Sequence, residues 1–254
     1  MNAQIQIIKT AQGHMALCQD TPKDIAPAWF AVDFWRAKDA VVGSSKGRYT
    51  TWFVAFEHSH WVLRHYWRGG LMEKFSKDAY VYTGLENTRA MAELRLLNIL
   101  YHEDFAVPKP IAANIVRDGL FYRADIIIER VEGAEDLVAK LSKGIISTEQ
   151  WQALGATIAQ FHLRGVYHAD LNAKNILFQP AQTAPITPER FYLIDFDRGA
   201  LKTPSPQWQQ SNLDRLLRSF NKEQGKLPSL AFTADNWSSL MMGYKAAMQS
   251  ACST

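Results

Sequence analysis

Eight consecutive residues, His168-Ala169-Asp170-Leu171-Asn172-Ala173-Lys174-Asn175, hold the densest chemistry in the chain. An apolar run, Ile176-Leu177-Phe178, follows them. Twenty residues after Asn175 stands Asp195, inside Leu193-Ile194-Asp195-Phe196-Asp197. A carboxylate such as Asp170 can orient an acceptor hydroxyl and take its proton. Asn175 and Asp195 offer an amide oxygen and a carboxylate, hard donors of the kind Mg²⁺ prefers. Five residues separate Asp170 from Asn175, so one loop can present the base on one side and the amide on the other. Such a set suits transfer of a phosphoryl group to a hydroxyl, a reaction governed by positioning and charge neutralisation. His168 and His162 read as packed residues.

The pattern His-x-Asp-Leu-x-x-x-Asn, followed by a strand and Ile-Asp-Phe-Asp, resembles the catalytic loop and metal-binding motif of protein-kinase-like phosphotransferases. That resemblance implies an ATP-dependent enzyme with Asp170 as base and Asn175 and Asp195 as Mg²⁺ ligands. It also implies a strand lysine that holds the nucleotide phosphates and pairs with a helix glutamate. Arg64 stands where the lysine should be, and Glu93 is the candidate partner; an arginine keeps the charge but differs in reach and shape. Within Gly43-Ser44-Ser45-Lys46-Gly47-Arg48, the residues Gly43, Lys46 and Gly47 are expected to cover the phosphates, although the G-x-G-x-x-G spacing is missing. Asp197 replaces the glycine that would follow Asp195 and Phe196 in a flipping segment. Only 59 residues remain after Asp195, which is short for a polypeptide-binding platform and favours a small or lipid-linked acceptor. Asn172, Lys174, Asp197 and Arg198 are acceptor-binding candidates by proximity.

The elements that must position these groups follow from residue patterning. Residues 51–56 and 61–67 are rich in β-branched and aromatic side chains and predict a hairpin that ends at Gly69-Gly70. Residues 87–102 have helical spacing, with Met91, Leu94, Leu97 and Ile99 facing inward, Glu93 among the polar positions, and Asn87 or Thr88 as cap. Residues 111–116 and 120–129 predict two strands joined by the turn Arg117-Asp118-Gly119. Beyond Glu132-Gly133 the chain reads as mostly helical. Residues 137–141 form a short helix, 147–164 a longer one with Thr148 as cap and Gly165 as stop, and 212–220 one that supports the catalytic loop. The first forty residues carry no clear pattern, and Pro22 and Pro27 break any long element. The expected fold class is α+β, a bilobal kinase-like domain. Its β-rich N-terminal lobe spans residues 1–131 and its helical C-terminal lobe 132–254. Residues 129–133 would serve as a hinge that offers backbone groups to adenine, with the nucleotide between the lobes.

The resemblance extends beyond these motifs. GRYTTWFV, LRHYWRGGL, YTGLENTRAMAELRLL, VPKPIAA and YHADLNAKNILF are together similar to the 3-deoxy-D-manno-octulosonic acid (Kdo) kinases, a lipopolysaccharide core kinase family of Gram-negative bacteria. The likeness covers roughly residues 35 to 220. It implies phosphorylation of the 4-hydroxyl of Kdo on a Kdo–lipid A precursor, at the cytoplasmic face of the inner membrane. Basic Arg68, Lys74 and Lys77 beside Tyr66, Trp67, Leu71 and Phe75 are compatible with an anionic inner-membrane surface. A core heptose kinase and a non-catalytic kinase-fold lipid-binding module remain as alternatives.

Composition narrows the classes further. The 254 residues are 47% hydrophobic and 21% charged, an ordinary globular balance. Two cysteines, Cys18 and Cys252, exclude a disulfide framework and cannot alone complete a zinc site. A net charge of 28 − 25 = +3, with no sustained basic run, gives no support for nucleic acid as a partner. The longest stretches without Asp, Glu, Lys or Arg have 14 residues, fewer than the roughly 20 a membrane span needs. No basic segment precedes an apolar core at the N-terminus, so a secretory signal is not expected.

Overall fold

The computed structural model describes residues 4–46, 50–68, 78–183 and 186–251. Gly47, Arg48, Gly69, Gly70, Leu71, Lys74, Phe75, Lys77 and Cys252, and the side chain of Lys46, lie outside the described residues. The chain divides into two compact units. One comprises Met1–Asp104 and Pro108–Arg130, the other Phe105–Val107 and Val131–Thr254.

The first unit is built on an antiparallel sheet. Its strands are β1 (Gln6–Thr10), β2 (Gly13–Leu17), β3 (Val41–Lys46), β4 (Thr50–Phe56), β5 (Ser59–His65), β6 (Tyr80–Val81), β7 (Pro110–Asp118) and β8 (Phe121–Glu129). They lie in the order β1-β2-β7-β8-β5-β4-β3. β8 serves two partners in tandem, β6 through Tyr122 and Phe121 and β5 from Asp125 to Glu129. The aromatic, β-branched hairpin forms as the sequence suggests, with Val54 opposite Trp61. Two expectations are corrected. The first forty residues do contain regular structure, the hairpin β1-β2, with β2 then pairing along β7. Its alternation is hard to see in sequence because β1 is largely exposed on both faces. Gly43 to Lys46 are not loop either: they continue β3 along β4, with a register shift between Val41 and Gly43.

Period-two alternation on β5 buries Trp61 and Leu63 on one face and turns Arg64 to the other. On the first face Trp61 joins Trp29, Phe34, Trp35 and Phe56, with Phe34 and Trp35 supplied by a short helix α1 (Val32–Arg36). Cys18 borders that core as a buried thiol, its pKa pushed up to about 12 by burial. The other face is covered by α2 (Arg89–His102), which packs on β7 and β8. Two of its positions invert the expected stripe: Glu93 is buried and Ile99 is exposed. Its cap differs too. The Thr88 hydroxyl donates to the Leu85 carbonyl instead of accepting from the helix, and the Tyr122 hydroxyl accepts the Arg89 N–H at 3.0 Å.

The second unit is mainly helical. It contains β9 (Glu135–Asp136), α3 (Leu137–Lys143), α4 (Thr148–Leu163), β10 (Val166–Tyr167), β11 (Ile176–Gln179), β12 (Gln182–Thr183), β13 (Ile186–Thr187), β14 (Arg190–Leu193), β15 (Ala200–Leu201), α5 (Pro206–Lys226) and α6 (Ala234–Ala251). The cap of α4 is Ser147, not Thr148. Ser147 and Gln150 exchange side-chain and backbone hydrogen bonds in a capping box. α5 is more than twice the expected length because Pro206, in its first turn, suits a helix start. β10 pairs with β15, and β11 lies between β9 and β14.

Candidate active site

In the first unit, Arg64 and Glu93 meet. Strand β5 directs the guanidinium to the α2 face of the sheet, and the two side chains form an ion pair through Nη2 and Oε2. Tyr66, two residues on and on the same side, donates its hydroxyl to the same Glu93 oxygen at 2.6 Å and lies 3.2 Å from Arg64 Nη2. Glu93 and Tyr66 are almost fully buried, whereas Arg64 keeps part of its side chain in solvent. Burial and the adjacent Glu93 carboxylate hold the Tyr66 phenol well above its usual range, so it remains a donor. The Arg64 guanidinium thus makes the expected pair with the helix glutamate. The sequence carries no signal for the third member, Tyr66, beyond its period-two spacing from Arg64.

In the second unit, the ladder between β11 and β14 brings together the two ends of the motif. Ile176 pairs with Leu193, and the Ile194 N–H donates to the Asn175 carbonyl at 3.0 Å. Asn175 and Asp195 therefore flank one end of the same strand pair, although 20 residues separate them in sequence. Asp195 has φ 63°, the left-handed region, where the chain turns away from β14. Aspartate tolerates that region better than most residues, and strain of this kind is a recurrent feature of functional sites.

The Asp170 loop is tied down on several sides. Asn175 Nδ2 donates to the Asp170 carbonyl at 3.0 Å, which leaves the amide oxygen as the group able to accept a cation. Asn172 Oδ1 caps the following turn, accepting from the N–H groups of Lys174 and Asn175. His168 is nearly solvent-free. Its Nε2 lies 3.0 Å from the Ile194 carbonyl, and its Nδ1 accepts the Asp170 N–H at 3.2 Å, an arrangement that uses the neutral ring. Burial lowers its pKa, consistent with that neutral form. It is a brace between the loop and the Asp195 segment, and it packs on Phe196 at 4.8 Å between centroids.

Helix α5 supplies residues that sequence reasoning did not single out. Asn212 both accepts from the His168 N–H and donates to the His168 carbonyl. Arg215 donates through Nε to Asp170 Oδ1 at 2.7 Å, and its Nη2 reaches the same oxygen. Ser219 Oγ accepts the Ala173 N–H at 3.1 Å, and Glu223 pairs with Lys174 at 3.4 Å. These four positions recur every three to four residues and form one stripe of the helix. The side chains of Asn172 and Lys174, expected to face an acceptor, are thus engaged within the loop and its support. The helical spacing could have marked the stripe; the identity of its partners, 44 to 49 positions away, could not be read from it.

Asn175 Oδ1 and the Asp195 carboxylate are both hard oxygen donors on adjacent backbone, so the residues present fit a bound Mg²⁺. Gly43 lies on a strand of the first unit, and the loop after Lys46 falls outside the described residues.

Comparison with known proteins follows the same lines. A 3-deoxy-D-manno-octulosonic acid kinase of Photobacterium profundum is 43% identical over 229 residues, 90% of this chain and 92% of that one. Its counterpart in Haemophilus influenzae (strain PittEE) is 42% identical over 224 residues, 86% and 90% of the two chains. Among solved structures, WaaP in complex with acyl carrier protein superposes with a TM-score of 0.54 at 14% identity, covering 84% of this chain and 82% of that one. At that identity the likeness speaks for the kinase-like fold alone. Residues 32–244 match the lipopolysaccharide kinase (Kdo/WaaP) family, and the chain belongs to that family.

Proposed function

We infer that this protein transfers the γ-phosphoryl group of ATP to a hydroxyl of Kdo in lipopolysaccharide core biosynthesis, with the 4-hydroxyl of a Kdo–lipid A precursor as acceptor. The observation that carries the reading is the near full-length identity of 43% to a named Kdo kinase. Asp170 lies in the loop where the reaction needs a base. The acceptor oxygen bonds to the γ-phosphorus as the bond to the ADP oxygen breaks, and the hydroxyl proton passes to Asp170. Arg64, steadied by Glu93 and Tyr66, holds nucleotide phosphates, and the backbone around Gly43 and Gly47 with Lys46 covers them. Asn175 and Asp195 would hold Mg²⁺, which neutralises phosphate charge when bound. Because the acceptor is lipid-linked, the enzyme works at the cytoplasmic face of the inner membrane as a peripheral protein. Among the described residues no helix is long and apolar enough to cross a membrane. Arg68, whose guanidinium lies over the Tyr80 ring at 5.3 Å, adds a positive charge of the kind that attracts anionic headgroups.

The test is transfer of labelled γ-phosphate from Mg·ATP to a Kdo–lipid A precursor, with a heptose-bearing core acceptor alongside. Asp170→Asn should lower turnover by about 10²- to 10⁴-fold. Label on the heptose acceptor alone would reject the Kdo assignment. Turnover by Asp170→Asn equal to wild type would remove Asp170 as base.

A further inference from the structure

We propose that Arg215 is a specificity-determining residue that recognises the carboxylate of the acidic sugar acceptor while it holds the catalytic loop's Asp170. The inference rests on the assignment of Kdo as acceptor. Kdo is an acid, so the sugar brings a carboxylate close to any hydroxyl it presents to the base.

The geometry of the ion pair carries the argument. Both contacts from Arg215, through Nε and Nη2, converge on one oxygen, Asp170 Oδ1. Among the described residues, Asp170 Oδ2 has no hydrogen-bond partner, so it is the oxygen left for the acceptor hydroxyl. A guanidinium has five N–H groups in a rigid fork. The lateral edge of Arg215 takes up two of them on Asp170. The end edge, formed by Nη1 and the second Nη2 hydrogen, has no acceptor among the described residues. That edge has the shape that binds a carboxylate through two parallel hydrogen bonds. The side chain of Arg215 is 47% exposed and that of Asp170 38%, so both are open to a ligand. The stem is fixed, because α5 is pinned to the loop above and below by Asn212 and Ser219. One residue can therefore set the distance between the base and an acid group on the substrate. A neutral sugar would leave the end edge unused.

The experiment compares kcat/KM for a Kdo–lipid A precursor and for its C1 carboxamide analogue, using wild type, Arg215→Gln and Arg215→Lys. Wild type should prefer the acid by about tenfold or more, the scale of a charge-assisted hydrogen bond. Arg215→Gln should bring the two acceptors to near parity, chiefly by losing activity on the acid. Arg215→Lys, which keeps the charge but not the fork, should retain part of the preference. Equal losses on both acceptors in Arg215→Gln would mean that Arg215 only positions Asp170, and would overturn the proposal. So would a wild type that does not distinguish acid from amide, a comparison that stands even if Arg215→Gln fails to fold. A wild type that labels neither Kdo acceptor, but labels a heptose, would instead overturn the functional reading and this inference with it.

Discussion

Asp195 and Arg64 illustrate how individual residues combine chemistry with a structural demand. Asp195 sits at φ 63°, a region that β-branched side chains avoid. Asp195→Asn should preserve the backbone and leave the thermal midpoint nearly unchanged, yet raise the Mg²⁺ concentration needed for half-maximal activity. Asp195→Val should in addition lose on the order of 1–3 kcal/mol of stability. The two variants separate the carboxylate's role from the turn's, through unfolding curves and Mg²⁺ titrations. Arg64 faces a different constraint. Its partner Glu93 is buried, so Arg64→Ala removes the guanidinium from an ionised group held away from water. Breaking a buried pair from one side costs about 3 kcal/mol or more, somewhat less here because Arg64 is partly solvated. A lowered denaturant midpoint together with a raised KM for ATP is the expected result. Arg64→Lys should recover more of the stability than of the nucleotide affinity.

At the scale of elements, the second unit depends on how closely α4 and α6 approach each other. A Cβ added at Gly155 would lie 1.9 Å from the Leu240 carbonyl oxygen, and one at Gly243 2.0 Å from the Gln152 oxygen. Backbone cannot retreat as a flexible side chain can, so the helices would have to separate. Gly155→Ala should cost about 1–3 kcal/mol or more, even though alanine favours helix in isolation. A stability equal to wild type in an unfolding titration would show that the crossing has slack. α5 plays another part. Its stripe of Asn212, Arg215, Ser219 and Glu223 follows the loop from His168 to Lys174. The loop's geometry is thereby determined by a helix that comes after it in sequence.

For the molecule as a whole, pH dependence should differ between the two units. In the second unit, burial lowers the pKa of His162 to about 4 and also lowers that of His168. The unfolded chain binds more protons than the folded one between about pH 4 and 6.5, so stability falls as pH falls through that window. His162 alone contributes a loss of roughly 3 kcal/mol. His65, in the first unit, behaves oppositely. Burial opposes its charge, but the hydrogen bond and charge of Asp125, with those of Asp78, raise its pKa on balance. Its contribution is present below about pH 6.5 and is lost as pH rises through the folded value. Hydrogen exchange at pH 5 should therefore show α4 and α5 losing protection before β5 and β8. His162→Gln should flatten the acid limb of the stability curve. An unchanged slope in that variant would rule out His162 as its source.

Much of this protein was determined by local pattern. The spacing of Asp170 and Asn175, the alternation on β5 that places Arg64, and the Arg117-Asp118-Gly119 turn each depend on neighbours a few residues apart. Short-range chemistry writes itself directly into sequence. Periodicity also located α2 and α4, but by itself it could not mark Glu93 as buried or Ile99 as exposed, because polarity alone does not report a buried ion pair. The β1-β2 hairpin escaped notice since its outer strand buries little and so carries a weak pattern. Only the tertiary structure brought Tyr66 to Glu93 and Arg215 to Asp170. These contacts span 27 and 45 residues, and they depend on which helix face meets which loop. That choice is made by the packing of whole elements, where many side chains compete at once, and no window of the sequence contains it.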